Sequence, residues 1–203
     1  IEDVPADFNL STNQRMQVEN EVSQNDYIDK EKINTFLKEL KYPLYFLDFE
    51  TMGSAVPIYD ESRPYQQLVF QYSLHIQVEP GGDLVHKEYL AATDGSDPRL
   101  KFMEQLIADC GTTGDVIVYN IGFERGKLNE LITSFPQYTK GLSNIVSRLK
   151  DLMMPFQNRW YYKPEMKGSY SIKKVLPALV PELSYNDLEI KEGGTASNVF
   201  AQM

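Results

Sequence analysis

The chain has 203 residues, of which 42% are hydrophobic and 12% aromatic, a composition that excludes a disordered chain and suffices for one sizeable core. Its formal net charge of −9 argues against a broad basic footprint for nucleic acid, although a cation-binding site is itself acidic and bound ions reverse the local sign. Cys110 is the only cysteine, which excludes a disulfide framework and a four-cysteine zinc site, and no apolar run approaches the ~18 residues of a membrane span.

Residues 1–28 show no sustained periodicity and read as an extended arm or linker; they lack the apolar core of a signal peptide, so a cytoplasmic protein is expected. A folded domain is expected over 29–203. Asp29 is placed to cap a helix carrying Ile33, Phe36, Leu37 and Leu40, which Pro43 closes. The next run is apolar at Leu44, Tyr45, Phe46, Leu47 and Phe49, and reads as a strand buried on both faces. Residues 68–79 alternate, with Phe70, Tyr72, Leu74, Ile76 and Val78 on one face and Gln71, Ser73, His75, Gln77 and Glu79 on the other. A Pro-Gly-Gly-Asp turn then returns the chain as a hairpin strand over 84–91.

Asp97-Pro98 opens a helix in the favoured cap arrangement, with Leu100, Met103, Leu106 and Ile107 facing inward. Residues 115–120 form a short β-branched strand of the parallel kind, followed by a helix from about 123 to 133. Another helix carries Leu142, Ile145, Val146 and Leu149, and Ser169 or Ser171 caps a last short one. The chain opens with Ile1 and stops inside what reads as a helix over 194–203, so it reads as a piece of a longer protein, with further domains of that protein as expected partners. Three antiparallel strands followed by strands alternating with helices imply a mixed α/β sheet flanked by helices.

Two carboxylates interrupt the apolar strand. Asp48 and Glu50 are two positions apart, so they point to one face about 6.6 Å apart along the chain, with Phe49 turned away. Bare carboxylates in an apolar setting are costly, and a hard divalent cation between them, Mg²⁺ or Mn²⁺, relieves both burial and repulsion. The alternative is a solvated strand face, where such triplets are common. A second signal is Asn120 at a strand end with Glu124 four residues on, in the first turn of a helix, where open α/β sheets gather their sites; capping and helix-dipole chemistry account for such a glutamate equally well. A third is Arg148 with Asp151: the arginine reaches a phosphate or pairs on its own helix, and the aspartate either ends a strand at the same cleft or caps.

Taken together, YPLYFLDFET, PYQQLVFQYSLH, VYNIGFERGKLNEL, RLKDLMMPF and GSYSIKKVLPAL resemble, in order, an uncharacterised bacterial domain family assigned to the RNase H-like superfamily, and the first and third resemble the opening motifs of the DnaQ-like, or DEDD, 3′–5′ exonucleases. The resemblance implies an RNase H-like fold and a metal-dependent 3′–5′ exonuclease acting on single-stranded DNA or RNA ends, or else an inactive nucleic-acid-binding module of that fold. It implies two Mg²⁺ or Mn²⁺ ions held by Asp48, Glu50 and Glu124, with Asp151 as a candidate fourth catalytic carboxylate. Thr51, Gln71, His75, Asn120 and Arg148 are then expected against the substrate. Glu124 stands where most DEDD enzymes carry Asp. The closing Tyr or His and Asp of that superfamily are not found; the segment 188–203 resembles what precedes them.

Overall fold

The computed structural model describes residues 4–5, 7–183 and 193–202. In chain order these residues form α1 (Thr12–Ser23), β1 (Tyr27–Ile28), α2 (Lys30–Lys38), β2 (Leu44–Met52), β3 (Leu68–Gln77), β4 (Leu84–Leu90), α3 (Pro98–Asp109), β5 (Asp115–Val118), α4 (Ile121–Ser134), α5 (Thr139–Ser147), β6 (Leu149–Asp151), α6 (Met154–Gln157), β7 (Tyr161–Tyr162), α7 (Ile172–Leu179) and α8 (Gly193–Gln202). Contacts gather into two units. One comprises the described residues up to 39 together with 153–183; the other comprises 40–152 and 193–202. Of the segment 188–203 singled out above, residues 188–192 and 203 lie outside the described residues.

The first unit corrects the expectation of an extended arm over 1–28. Ser11 accepts the Gln14 N–H while the Gln14 side chain takes the Ser11 N–H at 2.9 Å, a capping box that starts α1. No residue of α1 is buried. It therefore lacks the apolar stripe through which a helix announces itself in a sequence. β1 pairs antiparallel with β7, Tyr27 against Tyr162 and Ile28 against Tyr161. Asp29 caps α2 as expected, accepting the Lys32 N–H at 3.1 Å, and α2 buries Phe36, whose ring meets Trp160 edge-on at 6.4 Å.

The second unit is a five-stranded mixed sheet in the order β4-β3-β2-β5-β6, with antiparallel pairing from β4 to β2 and parallel pairing from β2 to β6. One face of it is the core. Tyr45, Leu47 and Phe49 of β2, Tyr72 and Leu74 of β3, and Val116 and Val118 of β5 are buried with Phe102, Met103 and Leu106 of α3 and Leu142 and Ile145 of α5. Phe102 stands edge-on to Phe49 at 5.9 Å and to Tyr72 at 5.5 Å. Side chains of this size contribute roughly 1.5–3 kcal/mol each when fully buried. Phe200 of α8 stacks on Phe70 at 4.3 Å, and α8 lies against β2.

Two local expectations change. β2 is not buried on both faces: Leu44 at its start is covered, but Phe46 and Glu50 are half-buried and Asp48 is exposed. Leu149 belongs to β6 rather than to the preceding helix, which ends at Ser147.

The amino ends of the three parallel strands are locked together by backbone and side-chain bonds. Gly114 has φ +82°, and a Cβ there would lie 2.0 Å from the Pro43 carbonyl oxygen, so only glycine lets the two chains approach. The next residue exploits that approach. The Asp115 N–H donates to the Lys41 and Pro43 carbonyls at 2.8 and 3.1 Å, and its buried carboxylate accepts the Lys41 N–H at 2.9 Å. Arg148 completes the lock, donating to the carbonyls of Thr113, Gly114, Cys110 and Gly111 at 2.8–3.0 Å and to Asn144 Oδ1 at 3.0 Å. Its guanidinium lies 5.5 Å from the Tyr45 ring centre.

Candidate active site

At the other ends of the same strands the polar groups are arranged differently. Pairing of Phe46 with Ile117 and of Ile117 with Lys150 sets the parallel register, and two residues past Phe46 stands Asp48, on the sheet face away from α3. Across the antiparallel pairing Asp48 sits opposite Ser73, Glu50 opposite Gln71, and Phe46 opposite His75. A register shift follows between Glu50 and Thr51. The irregularity interrupts the ladder directly after the second carboxylate, before Thr51 and Met52 resume it, and leaves Thr51, paired with Val69, half-buried. The Asp48 side chain meets solvent, yet the surrounding protein still holds its carboxyl above the ordinary carboxylate value by desolvation, which a bond from the Phe49 backbone partly offsets.

The β5–α4 junction supplies the second part. Asn120 turns the chain with φ +78°, ψ +64°, a left-handed conformation that asparagine tolerates better than most residues, and α4 begins at Ile121, two residues before the expected start. The turn is held from the neighbouring strand: Asp151, at the end of β6, accepts the N–H groups of Asn120 and Ile121 at 3.1 Å each. These are among the donors that a helix start leaves unpaired, and a carboxylate is favoured at that end of the helix dipole. Asp151 is paired in register with Val118, a core-face residue, and is itself buried.

Glu124 lies in the first turn of α4, 4% exposed, and its Oε2 has no hydrogen-bond partner. Desolvation pushes its carboxyl up to about 7 from an ordinary 4.5, opposed by a bond with its own backbone and reinforced by the charges of Asp48 and Asp151. Those two charges reach Glu124 from β2 and β6, so the three acids share one electrostatic neighbourhood although they lie on three elements. Natural proteins leave few buried oxygens unpaired, and such a group costs on the order of 1–3 kcal/mol.

The structure thus gathers Asp48, Glu50, Thr51, Asn120, Glu124 and Asp151 at the carboxyl ends of β2, β5 and β6, with Gln71 facing Glu50. Asp151 takes a positioning task, since both of its oxygens receive backbone N–H groups. His75 is exposed on the same sheet face; it stacks on His86 at 4.4 Å, and His86 Nε2 lies 3.0 Å from Ser73 Oγ. Ser73, read only as a polar-face residue, and His86 are not among the expected site residues, although the hairpin sets His86 opposite His75. Arg148 is a correction. It stands at the amino ends of the strands with its guanidinium engaged by four carbonyls and Asn144, so it is not a phosphate contact of this site.

For a hard cation the donor set fits in kind: the acids offer only oxygen, one buried oxygen lacks a partner, and one carboxylate is open to solvent. In arrangement it stays spread. Among the described residues, no group of three or more His, Cys, Asp or Glu side chains is placed to hold a metal ion. Nor is any helix of the described residues long and apolar enough to cross a membrane.

Residues 45–171 match the family model described as a domain of unknown function, DUF2779, and the chain belongs to that family. Among curated proteins it is similar to an uncharacterized MG366 homolog of Mycoplasma pneumoniae, 28% identical over 184 residues, covering 83% of this chain and 28% of that protein. It is similar as well to the uncharacterized protein UU173 of Ureaplasma parvum, 30% identical over 182 residues, covering 79% of this chain and 26% of that protein. Over 215 residues it is 26% identical to the uncharacterized protein MG366 of Mycoplasma genitalium, covering 96% of this chain and 32% of that protein. The chain therefore spans between 26% and 32% of the length of these relatives. No solved structure matches it.

Proposed function

We propose that this member of the DUF2779 family is an RNase H-like, metal-dependent nuclease domain that hydrolyses phosphodiester bonds at the 3′ ends of single-stranded DNA or RNA. The observation that carries the reading is the buried, unpartnered Oε2 of Glu124, set between the charges of Asp48 and Asp151 at the carboxyl ends of parallel strands. Such strand ends are where open α/β sheets place their ligands. The order of the acids along the chain, D-x-E on a first strand and then an acid after a strand-to-helix turn, supports it further.

Asp48, Glu50 and Glu124 would hold the ions. Two Mg²⁺ or Mn²⁺ ions bound there would supply charge stabilisation for a phosphodiester and a water acidic enough to attack it near neutral pH. The chain's own contribution is orientation and proton balance. Asp48 and Glu50 present oxygens from one rigid strand, two residues apart. Asp151 pins the Asn120–Ile121 amides and so aims the first turn of α4, which carries Glu124. Glu124 must give up its proton to act as a ligand, so with a carboxyl near 7 it favours cation binding as pH rises through neutrality.

Titration of the purified chain with Mn²⁺, followed by calorimetry and thermal unfolding, tests this. Mn²⁺ at 100 times its dissociation constant should add about 2.7 kcal/mol of stability, Asp48→Asn should abolish that gain, and binding should strengthen from pH 6 to pH 8. A 5′-labelled single-stranded oligonucleotide should be shortened from its 3′ end only by the unaltered protein. An unchanged melting point in saturating Mn²⁺ would overturn the reading. The spread of the described acids favours a second reading, an inactive RNase H-like nucleic-acid-binding module; retained oligonucleotide binding without any cation effect would select it.

A further inference from the structure

Charge is unevenly divided along this acidic chain. From Arg159 to Lys174 the sequence RWYYKPEMKGSYSIKK carries Arg159, Lys163, Lys167, Lys173 and Lys174 against Glu165 alone, a local surplus of four in a protein of net charge −9. All of these residues belong to the first unit, in the turn before β7, β7 itself, the segment after it and the start of α7. We infer that this basic, tyrosine-bearing surface is a binding face for single-stranded nucleic acid.

Three features make the surface costly unless an anion meets it. Lys173 and Lys174 occupy the first turn of α7, the positive end of the helix dipole, with no acidic residue beside them, and the Ser171 side chain makes no capping bond. Lys167, Lys173 and Lys174 are exposed and have no ion-pair partner among the described residues; Lys163 approaches Asp26 only at 3.9 Å. Arg159 is held between two rings, 5.4 Å from the Tyr162 centre and 5.9 Å from that of Tyr170, and spends Nη2 on the Gly168 carbonyl at 2.6 Å while its buried Nε has no partner.

The rings decide which polyanion fits. Tyr170 is 39% exposed and already stacked with a guanidinium, a ready platform for an unpaired base, whereas a lipid headgroup or an acidic peptide gains nothing from such a face. Lysines following an arginine-tyrosine stack suit a flexible, singly stranded backbone. The inference goes beyond the nuclease reading in that it requires no metal and no cleavage.

The test is fluorescence anisotropy of the full chain with labelled dT and rU oligonucleotides in EDTA, across salt concentrations. Lys167→Asn, Lys173→Gln and Lys174→Gln together should weaken binding about tenfold or more at low salt and lower the slope of log K against log salt by about 2, since each neutralised phosphate contributes about 0.7. Asparagine suits position 167, where φ is +49°. Tyr170→Ala should cost about fivefold or more with the slope unchanged. The three lysines replaced by arginine should keep wild-type binding and guard against a folding defect, and Lys101→Gln, at an exposed lysine of α3 in the other unit, should leave binding intact, which separates this face from basic residues elsewhere. Unchanged affinity in the triple variant, or loss equal in the arginine control, would overturn the proposal; so would equal binding to phosphatidylserine vesicles that resists Tyr170→Ala.

Discussion

The two ends of the parallel strands β2, β5 and β6 are built to opposite standards. At the amino ends, polar groups are matched: the Arg148 guanidinium serves four carbonyls, the buried Asp115 carboxylate has the Lys41 N–H, and Gly114 lets two backbones close on each other. At the carboxyl ends, Glu124 feels the charges of Asp48 and Asp151 and keeps a buried oxygen without a partner. A fold needing only to be stable has no reason for the second arrangement. The contrast locates structure at one end and chemistry at the other, and it predicts that mutations at the two ends will differ in sign.

The largest effect should come from the matched end. Gly114→Ala places a methyl against the Pro43 carbonyl in a left-handed conformation, and should cost at least ~4 kcal/mol in urea denaturation, or prevent folding at 37 °C. Arg148→Ala follows. It leaves the carbonyls of residues 110, 111, 113 and 114 without their donor, an expected loss of about 3 kcal/mol that lysine should not restore, because one ammonium cannot span the four acceptors.

At the unmatched end the sign reverses. The folded Glu124 carboxyl titrates near 7 and the unfolded one near its ordinary 4.5. Native protein therefore holds a proton through this window that the unfolded chain has released, and stability falls as pH rises from 4.5 to 7 before levelling off. Glu124→Gln should remove that slope. With divalent cations chelated, its urea midpoint should lie below wild type near pH 4.5, by the desolvation of the new amide, and exceed it above pH 7, by a net gain of about 2 kcal/mol. A variant less stable than wild type at pH 8 would mean that the ionised glutamate has a favourable partner, and would erase the contrast between the ends.

Much of this was legible in the sequence because periodicity and caps are local signals. The D-x-E strand, the alternating hairpin, Asp97 before its proline and Asp29 before its helix all read directly. What escaped depends on distant partners. Arg148 carried no sign that backbone carbonyls more than thirty residues away would claim it. Helix α1, whose Met16, Val18 and Val22 do not form a continuous stripe, offered none to detect. The covering of β2 on one face only was hidden for a different reason: Phe46 is apolar in the sequence yet half-buried next to exposed Asp48, so residue type misstated exposure there.

The clasp of Asp151 on two successive amides gives the molecule its own gauge. In a proton–nitrogen spectrum the resonances of Asn120 and Ile121 report on amides bonded to a carboxylate thirty-one and thirty residues away, about one helical turn before Glu124. An ion drawn toward that glutamate must pull charge away from those two amides. They would shift first and together, so a titration could be followed from backbone signals alone, without a label, a substrate or turnover.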